Sequence, residues 1–286
     1  MKFLKPAKNV ARRDPKLLST GLILIGVAYL VFVLFLPLAT VFFEALRKGF
    51  GDYFTGIAEP ESIAAMKLTL LIALIAMPLN TVFGIAAAWC VTKFEFFGKS
   101  VLLTIIDLPF SISPVISGLI YVLVYGANGW FGPTLDAWGI QVIFTVTGIA
   151  MATTVVTLPF VARELIPLMQ AQGTDEEAAA ATLGAGGWRT FFLVTLPNIK
   201  WGLMYGVLLC TARAMGEFGA VAVVSGKIRG ETATMPLQVE ILYNEYAFVS
   251  AFAVASLLAM FALVTLAVKT LLEARFAHEL AAQRWR

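Results

Sequence analysis

Six stretches of this chain, at residues 20–43, 64–91, 101–126, 142–169, 198–224 and 248–272, stay apolar for about twenty residues or more. A helix of about 20 apolar residues crosses about 30 Å of hydrocarbon. The chain therefore reads as an all-α polytopic membrane protein with about six transmembrane helices. Composition agrees: of 286 residues, 59% are hydrophobic and 14% charged, whereas soluble domains are about half apolar and about a quarter charged. The longest polar interruptions run to roughly 15–25 residues, below the usual domain minimum of about 50, so no soluble domain is expected.

The first apolar run follows Lys2, Lys5, Lys8, Arg12, Arg13 and Lys16. It is longer than a signal-peptide core and lacks a small-residue cleavage site, so it reads as an uncleaved first helix. Alternating the spans across a bilayer puts Arg47, Lys48, Lys67, Lys227 and Arg229 on one side and Arg213 within a span. The other fifteen of the 21 Lys and Arg residues then fall on the side of the N-terminus. The positive-inside rule predicts both termini in the cytoplasm. The expected division is a cytoplasmic segment at 1–19, a transmembrane domain at 20–272 and a cytoplasmic tail at 273–286. The net charge of +3 is a topology signal, and nucleic acid is not an expected partner. Membrane lipids are, with Trp130, Trp138, Trp89 and Trp201 near span boundaries as interfacial aromatics.

Cys90 and Cys210 lie in apolar runs and read as small buried hydrophobes. His278 is the only histidine and has no partners at metal-ligand spacing, so no metal site is expected. The short link around residues 93–100 makes the second and third spans expected antiparallel neighbours. The third span contains DLPFSISPVISG, in which Pro109 and Pro114 should kink or delay the helix. Such breaks are tolerated at membrane depth where protein or a water-lined cavity satisfies the freed groups. Ser111, Ser113 and Ser117 are then candidates for a polar pathway, or they bond back to their own helix.

Between the fourth and fifth spans the chain reads GTDEEAAAATLGAGGWRTFFLVTLP from Gly173 to Pro197. Thr174 and Glu177 have capping-box spacing, and the acids favour the positive end of a helix dipole. A short alanine-rich helix is predicted, broken by Gly184, Gly186 and Gly187. A second short helix over 188–194 should follow, with Pro197 opening the next span. A nearly side-chain-free helical face is suited to close docking in another protein's groove. The pattern resembles the EAA loop of permease subunits of bacterial ABC importers: Glu-Ala-Ala, three residues, Gly, nine residues, Ile, one residue, Leu-Pro. Here Gly184, nine residues, Val194, Thr195, Leu196 and Pro197 keep the second half. The first half departs by one position, because Glu177 precedes Ala178, which occupies the place of the glutamate. The resemblance implies a coupling loop at 172–197, with Glu176, Glu177, Ala178, Ala179, Gly184 and Ala185 as coupling residues.

In the fifth span, Arg213 and Glu217 are four apart and can pair on one helix face. Ionisable groups within a span point to function by default, and an ion pair that locks helix packing competes here with substrate contact. The run ARAMGEFGAVAVVSGKIRGETATMPLQVE, together with DLPFSISPVISG, resembles the W-type permease subunit of bacterial sulfate/thiosulfate importers. Molybdate importer permeases share the Arg-Ala-x-Gly-Glu-Phe-Gly core, so a molybdate or tungstate permease is the alternative. The resemblance implies the type I ABC importer permease fold in the inner membrane. It also implies a sister T-type permease, a periplasmic sulfate-binding protein and a cytoplasmic ATPase dimer that carries ATP and Mg. The chain itself lacks the G-x-x-x-x-G-K-[ST] phosphate loop, since Lys93 stands where Gly98-Lys99-Ser100 would need its first glycine. It is thus expected to bind no cofactor and to be no enzyme. An intramembrane enzyme would want H-E-x-x-H or G-x-S-x-G, both missing. A secondary transporter would want half-to-half repeats, which the chain does not display.

Overall fold

The computed structural model describes the backbone of residues 16–284 and the side chains of 20–272 and 274. The basic segment before Lys16 and the side chain of His278 lie outside the described residues. Every regular element described is helical: α1 (Lys16–Leu30), a π-helical turn (Val31–Phe35), α2 (Leu36–Ala45), α3 (Phe50–Ala58), α4 (Pro60–Lys93), α5 (Lys99–Ser111), α6 (Pro114–Tyr125), α7 (Gly132–Ala137), α8 (Val146–Thr157), α9 (Pro159–Gln172), α10 (Asp175–Thr182), α11 (Gly187–Thr190), a second π-helical turn (Phe191–Thr195), α12 (Leu196–Met215), α13 (Gly219–Val224), α14 (Met235–Asn244) and α15 (Phe248–Arg284).

Five spans are long and apolar enough to cross a membrane unaided: Thr20–Ala45, Pro60–Lys93, Val146–Gln172, Gly187–Met215 and Phe248–Leu272. Counted as one span, the pair α5 and α6, bent by 107° at Ile112 and Ser113, brings the candidates to six. The expected disruption at Pro114 is therefore a full break, while Pro109 sits inside α5. The fifth span stops at Met215, short of the expected 224, and α13 is a separate helix beyond a turn. The last helix runs on to Arg284, so the expected tail continues α15.

Proline accounts for both π-helical turns. Its ring clashes with the carbonyl four residues back, and for Pro37 and Pro197 those carbonyls belong to Val33 and Leu193, inside the two turns. Widening one turn lets each helix continue past its proline. The predicted separate helix at 188–194 is, for the same reason, the first part of the continuous span Gly187–Met215.

The core has two main clusters. One joins α4, α8, α13 and α14 through Ile72, Ile149, Val221 and Leu237. The other joins α4, α5, α9 and α12 through Val91, Ile106, Val161 and Ile199. α5 packs chiefly on α9 and α8, so it is not the close neighbour of α4 that the short link suggested. Bilayers offer no hydrophobic push between helices, so close approach through small residues does more of the packing. At Gly84, an added Cβ would meet the Val161 side chain at 2.6 Å and the Ala162 backbone nitrogen at 3.0 Å. Buried Asn80 ties three helices: its amide donates to the Thr154 carbonyl (3.0 Å) and the Thr157 hydroxyl (2.7 Å), and reaches the Cys210 sulfur (3.7 Å). At the other end of α4, Arg229 meets Glu61 (3.5 Å) and Glu245, and Lys227 meets Glu240 (2.8 Å).

Gly84→Ala should lower stability by about 1–3 kcal/mol, the usual cost of overpacking. Gly26→Ala, with nothing within 4 Å, should leave it unchanged. Thermal unfolding of both variants in one detergent checks the contrast.

Candidate functional site

The polar insert folds back onto the helices that flank it. Gly173 (φ +69°) turns the chain at the end of α9, and α10 starts two residues later. The expected capping box does not form: the Thr174 side chain caps nothing, and Glu177 faces the other way. Its Oε1 lies 2.7 Å from the Lys93 ammonium and accepts from the Thr195 hydroxyl at 3.1 Å. Lys93, the last residue of α4, also donates to the Gly173 carbonyl. Glu176 accepts from the Asn198 amide, and Gln172 donates to the Asn198 carbonyl at 3.0 Å. The Lys93 side chain is only 8% exposed, against 21% for Glu177, so this pair is largely shielded from screening water. A lysine in the last turn of α4 also meets the negative end of that helix's dipole.

The far end of α10 closes with a Schellman motif. The Ala185 amide donates to the Ala180 carbonyl and the Gly184 amide to the Ala181 carbonyl, both at 3.0 Å. Gly184 takes φ +83°, which the motif requires at that position. Ala185 is half-buried, whereas Ala178, Ala179, Ala181 and Gly184 are exposed, and Leu183 beside them is 88% exposed. Beyond Gly186 the chain re-enters the bundle through an aromatic group. Trp89 packs on Phe191 (4.9 Å between centroids) and on Trp188 (6.3 Å).

Arg213 and Glu217 do pair, with NH1 2.7 Å from Oε2, although Glu217 sits in the turn after α12 rather than on it. The contact is off the line of a hydrogen bond and is mainly coulombic, because Oε2 has no hydrogen-bond partner. The other oxygen, Oε1, accepts the Ala220 amide at 3.0 Å. The Glu217 side chain is 1% exposed and that of Arg213 34%. Next to this turn, an added Cβ on Gly219 would lie 3.0 Å from Pro114, and one on Gly118 2.7 Å from the Ala220 carbonyl. The broken span and the ion-paired turn are thus packed together. Ser117 is buried there, Ser111 and Ser113 are exposed at the break, and the hydroxyl of none of the three bonds back to its own helix.

One charged contact escapes a reading by loops. Arg163, counted from the sequence among cytoplasmic cations, lies inside the span Val146–Gln172. Its Nε is 3.1 Å from Asp107 Oδ1 on α5. The signal in the sequence is one acid and one base inside separate apolar runs, Asp107 in 101–126 and Arg163 in 142–169.

The model for the family described as binding-protein-dependent transport system inner membrane component matches residues 80–278. The sulfate transport system permease protein CysW of Synechocystis sp. is 52% identical over 269 residues, covering 93% of this chain and 98% of that protein. The sulfate transport system permease protein CysT of Escherichia coli is 34% identical over 248 residues, 87% of this chain and 90% of that one. Among solved structures, a bacterial alginate ABC transporter in complex with an alginate pentasaccharide-bound periplasmic protein contains a chain with a TM-score of 0.75 at 18% identity. The alignment covers 91% of this chain and 94% of that chain.

Lys93→Met and Glu177→Gln, made singly and together, should show a coupling of about 1–3 kcal/mol, as for residues sharing one network. Either single change should also speed amide exchange across α10, which a mere surface pair would not do. Arg213→Gln should cost about 3–5 kcal/mol by stranding a buried carboxylate. Arg213→Gln with Glu217→Gln should recover most of that loss in thermal unfolding.

Proposed function

The chain belongs to the family of binding-protein-dependent transport system inner membrane components, and from that membership we infer that it is the W-type permease subunit of an ATP-driven sulfate importer. The observation that carries this reading is the 52% identity to a sulfate permease across 93% of the chain. It is a multi-pass transport subunit of the bacterial inner membrane.

The excess of Lys and Arg on one side supports cytoplasmic termini, which puts α10 in the cytoplasm. There its exposed Ala178, Ala179 and Gly184, with half-buried Ala185, form a small-residue face for a groove on a separate ATPase dimer. With no phosphate loop in the sequence, ATP and Mg belong to that partner. Similarity to the T-type permease as well supports a heterodimer with such a sister subunit. The solved complex supports delivery of substrate by a periplasmic binding protein.

Glu176 and Glu177 act here as internal clamps rather than as contacts to the ATPase. Through Lys93, Thr195 and Asn198 they fix α10 to the end of α4 and to the start of α12. Movement of the ATPase is thereby passed to two spans at once, and α10 works as a rigid lever. Arg213 holds the turn before α13 through Glu217, and the Ser111, Ser113 and Ser117 hydroxyls lie beside the break as polar lining of the route.

Ala179→Trp should fold normally, because the site is exposed, yet abolish both co-purification of the ATPase and ATP-driven uptake. Uptake above a tenth of the wild-type rate would remove α10 from the coupling path. In the reconstituted complex, sulfate-loaded binding protein should stimulate ATP hydrolysis more than the molybdate-loaded form, and the reverse order would reassign the substrate.

A further inference from the structure

The Arg163–Asp107 pair joins two candidate spans through charged side chains. Arg163 lies within the candidate span Val146–Gln172, nine residues from the end of α9, about 13 Å along the helix. Its side chain is nevertheless 54% exposed, and that of Asp107 50%. Ionisable groups within a span face a bundle interior or a water-filled cavity.

The surroundings are polar as well. On α5, Ser100, Thr104, Asp107 and Ser111 recur at intervals of four, three and four, which places them on one helical face. Ser100, Thr104 and Ser111 are all exposed, and Asp107 is half-exposed. This stripe leads from the first turn of α5 up to the 107° break. Irregular backbone at membrane depth is tolerated only where it is buried in protein or lines a cavity.

The guanidinium is held on two sides and free on the third. Asp107 takes its Nε edge at 3.1 Å, and the Phe110 ring lies under its plane with the centroid 4.8 Å from Cζ. Both terminal nitrogens are without a partner among the described residues. They form a planar fork of donors of the kind that grips an oxyanion at two points. At Arg213, by contrast, NH1 already faces a carboxylate that is 1% exposed.

We propose that Arg163 is an anion-contacting residue of the transport route, where its free terminal nitrogens hold sulfate in transit along the polar face of α5. The assignment rests on the sulfate importer reading above. Asp107 sets the orientation of the fork and, by offsetting its charge, keeps the site weak enough to release the dianion. Conduction needs binding favourable enough to enter and weak enough to leave.

The test uses the full complex reconstituted with its ATPase, sister permease and sulfate-loaded binding protein, in a Cys90→Ala, Cys210→Ser background. Arg163→Gln should cut sulfate uptake at least tenfold while the complex still purifies intact. Arg163→Cys should be similarly impaired and should recover when 2-aminoethyl methanethiosulfonate restores a positive group. Sulfate should slow that modification, as it would for a group on the route. Asp107→Asn should lower the maximal rate of uptake and retain more radiolabelled sulfate on the complex.

Uptake by Arg163→Gln within twofold of the parent overturns the proposal. So does a complex that falls apart on that change, which would make the pair a subunit contact. Failure of the parent complex itself to move sulfate overturns the importer reading and this inference with it, whereas a working parent with a working Arg163→Gln overturns this inference alone.

Discussion

The Lys93 ammonium is the point at which the membrane bundle and the polar insert become one body. It closes α4, contacts the Glu177 carboxylate and donates to the Gly173 carbonyl, all with 8% of its side chain exposed. A lysine so placed has few rotamers left, and the entropy lost in ordering it is offset only because two acceptors are already fixed there. Gly173 is fixed by the end of α9 and Glu177 by the start of α10. Three helices therefore share one cation. Without that contact α10 would be a short helix of alanines with no buried residue, which is marginal by itself.

The ends of α10 follow from the same economy. Its first turn is anchored by side chains that reach back to the bundle, and its last turn is closed by backbone amides around Gly184. A Schellman closure needs no partner outside the helix, so the final turn is left free to present its outer face. The exposed alanines between these ends have little side-chain entropy to lose on docking. A face that is rigid beforehand and has little to order binds at lower cost.

Hydropathy made the spans legible because the bilayer fixes their length, and the prolines marked where helices would deform. What hydropathy could not supply was the response to each proline. Pro114 ends a helix, Pro197 and Pro37 are absorbed by widened turns, and Pro109 stays inside α5. Tertiary neighbours decide among these outcomes. The same holds for the acids of the insert. Thr174 and Glu177 have the spacing of a local capping box, but Lys93 and Thr195 offer Glu177 a charge-assisted alternative from sequence positions far away. At the position where the EAA pattern departs from its usual form, Glu177 is engaged inward and Ala178 is exposed. Asp107 and Arg163 are 56 positions apart, too far for any local pattern to pair them.

Two arginine–carboxylate pairs end up with opposite characters, and burial is what separates them. Glu217 is sealed, accepts the Ala220 amide and has its charge met by Arg213. Removing the cation would leave a charge with no solvent to fall back on, so the pair fixes the turn before α13 in one arrangement. Asp107 and Arg163 are each half-exposed and touch along one edge only. There the cost of exchanging one anionic neighbour for another is small, because a passing oxyanion replaces water rather than protein on the terminal nitrogens. The same chemistry yields a fixed joint where the carboxylate is dry and an exchangeable contact where it is wet.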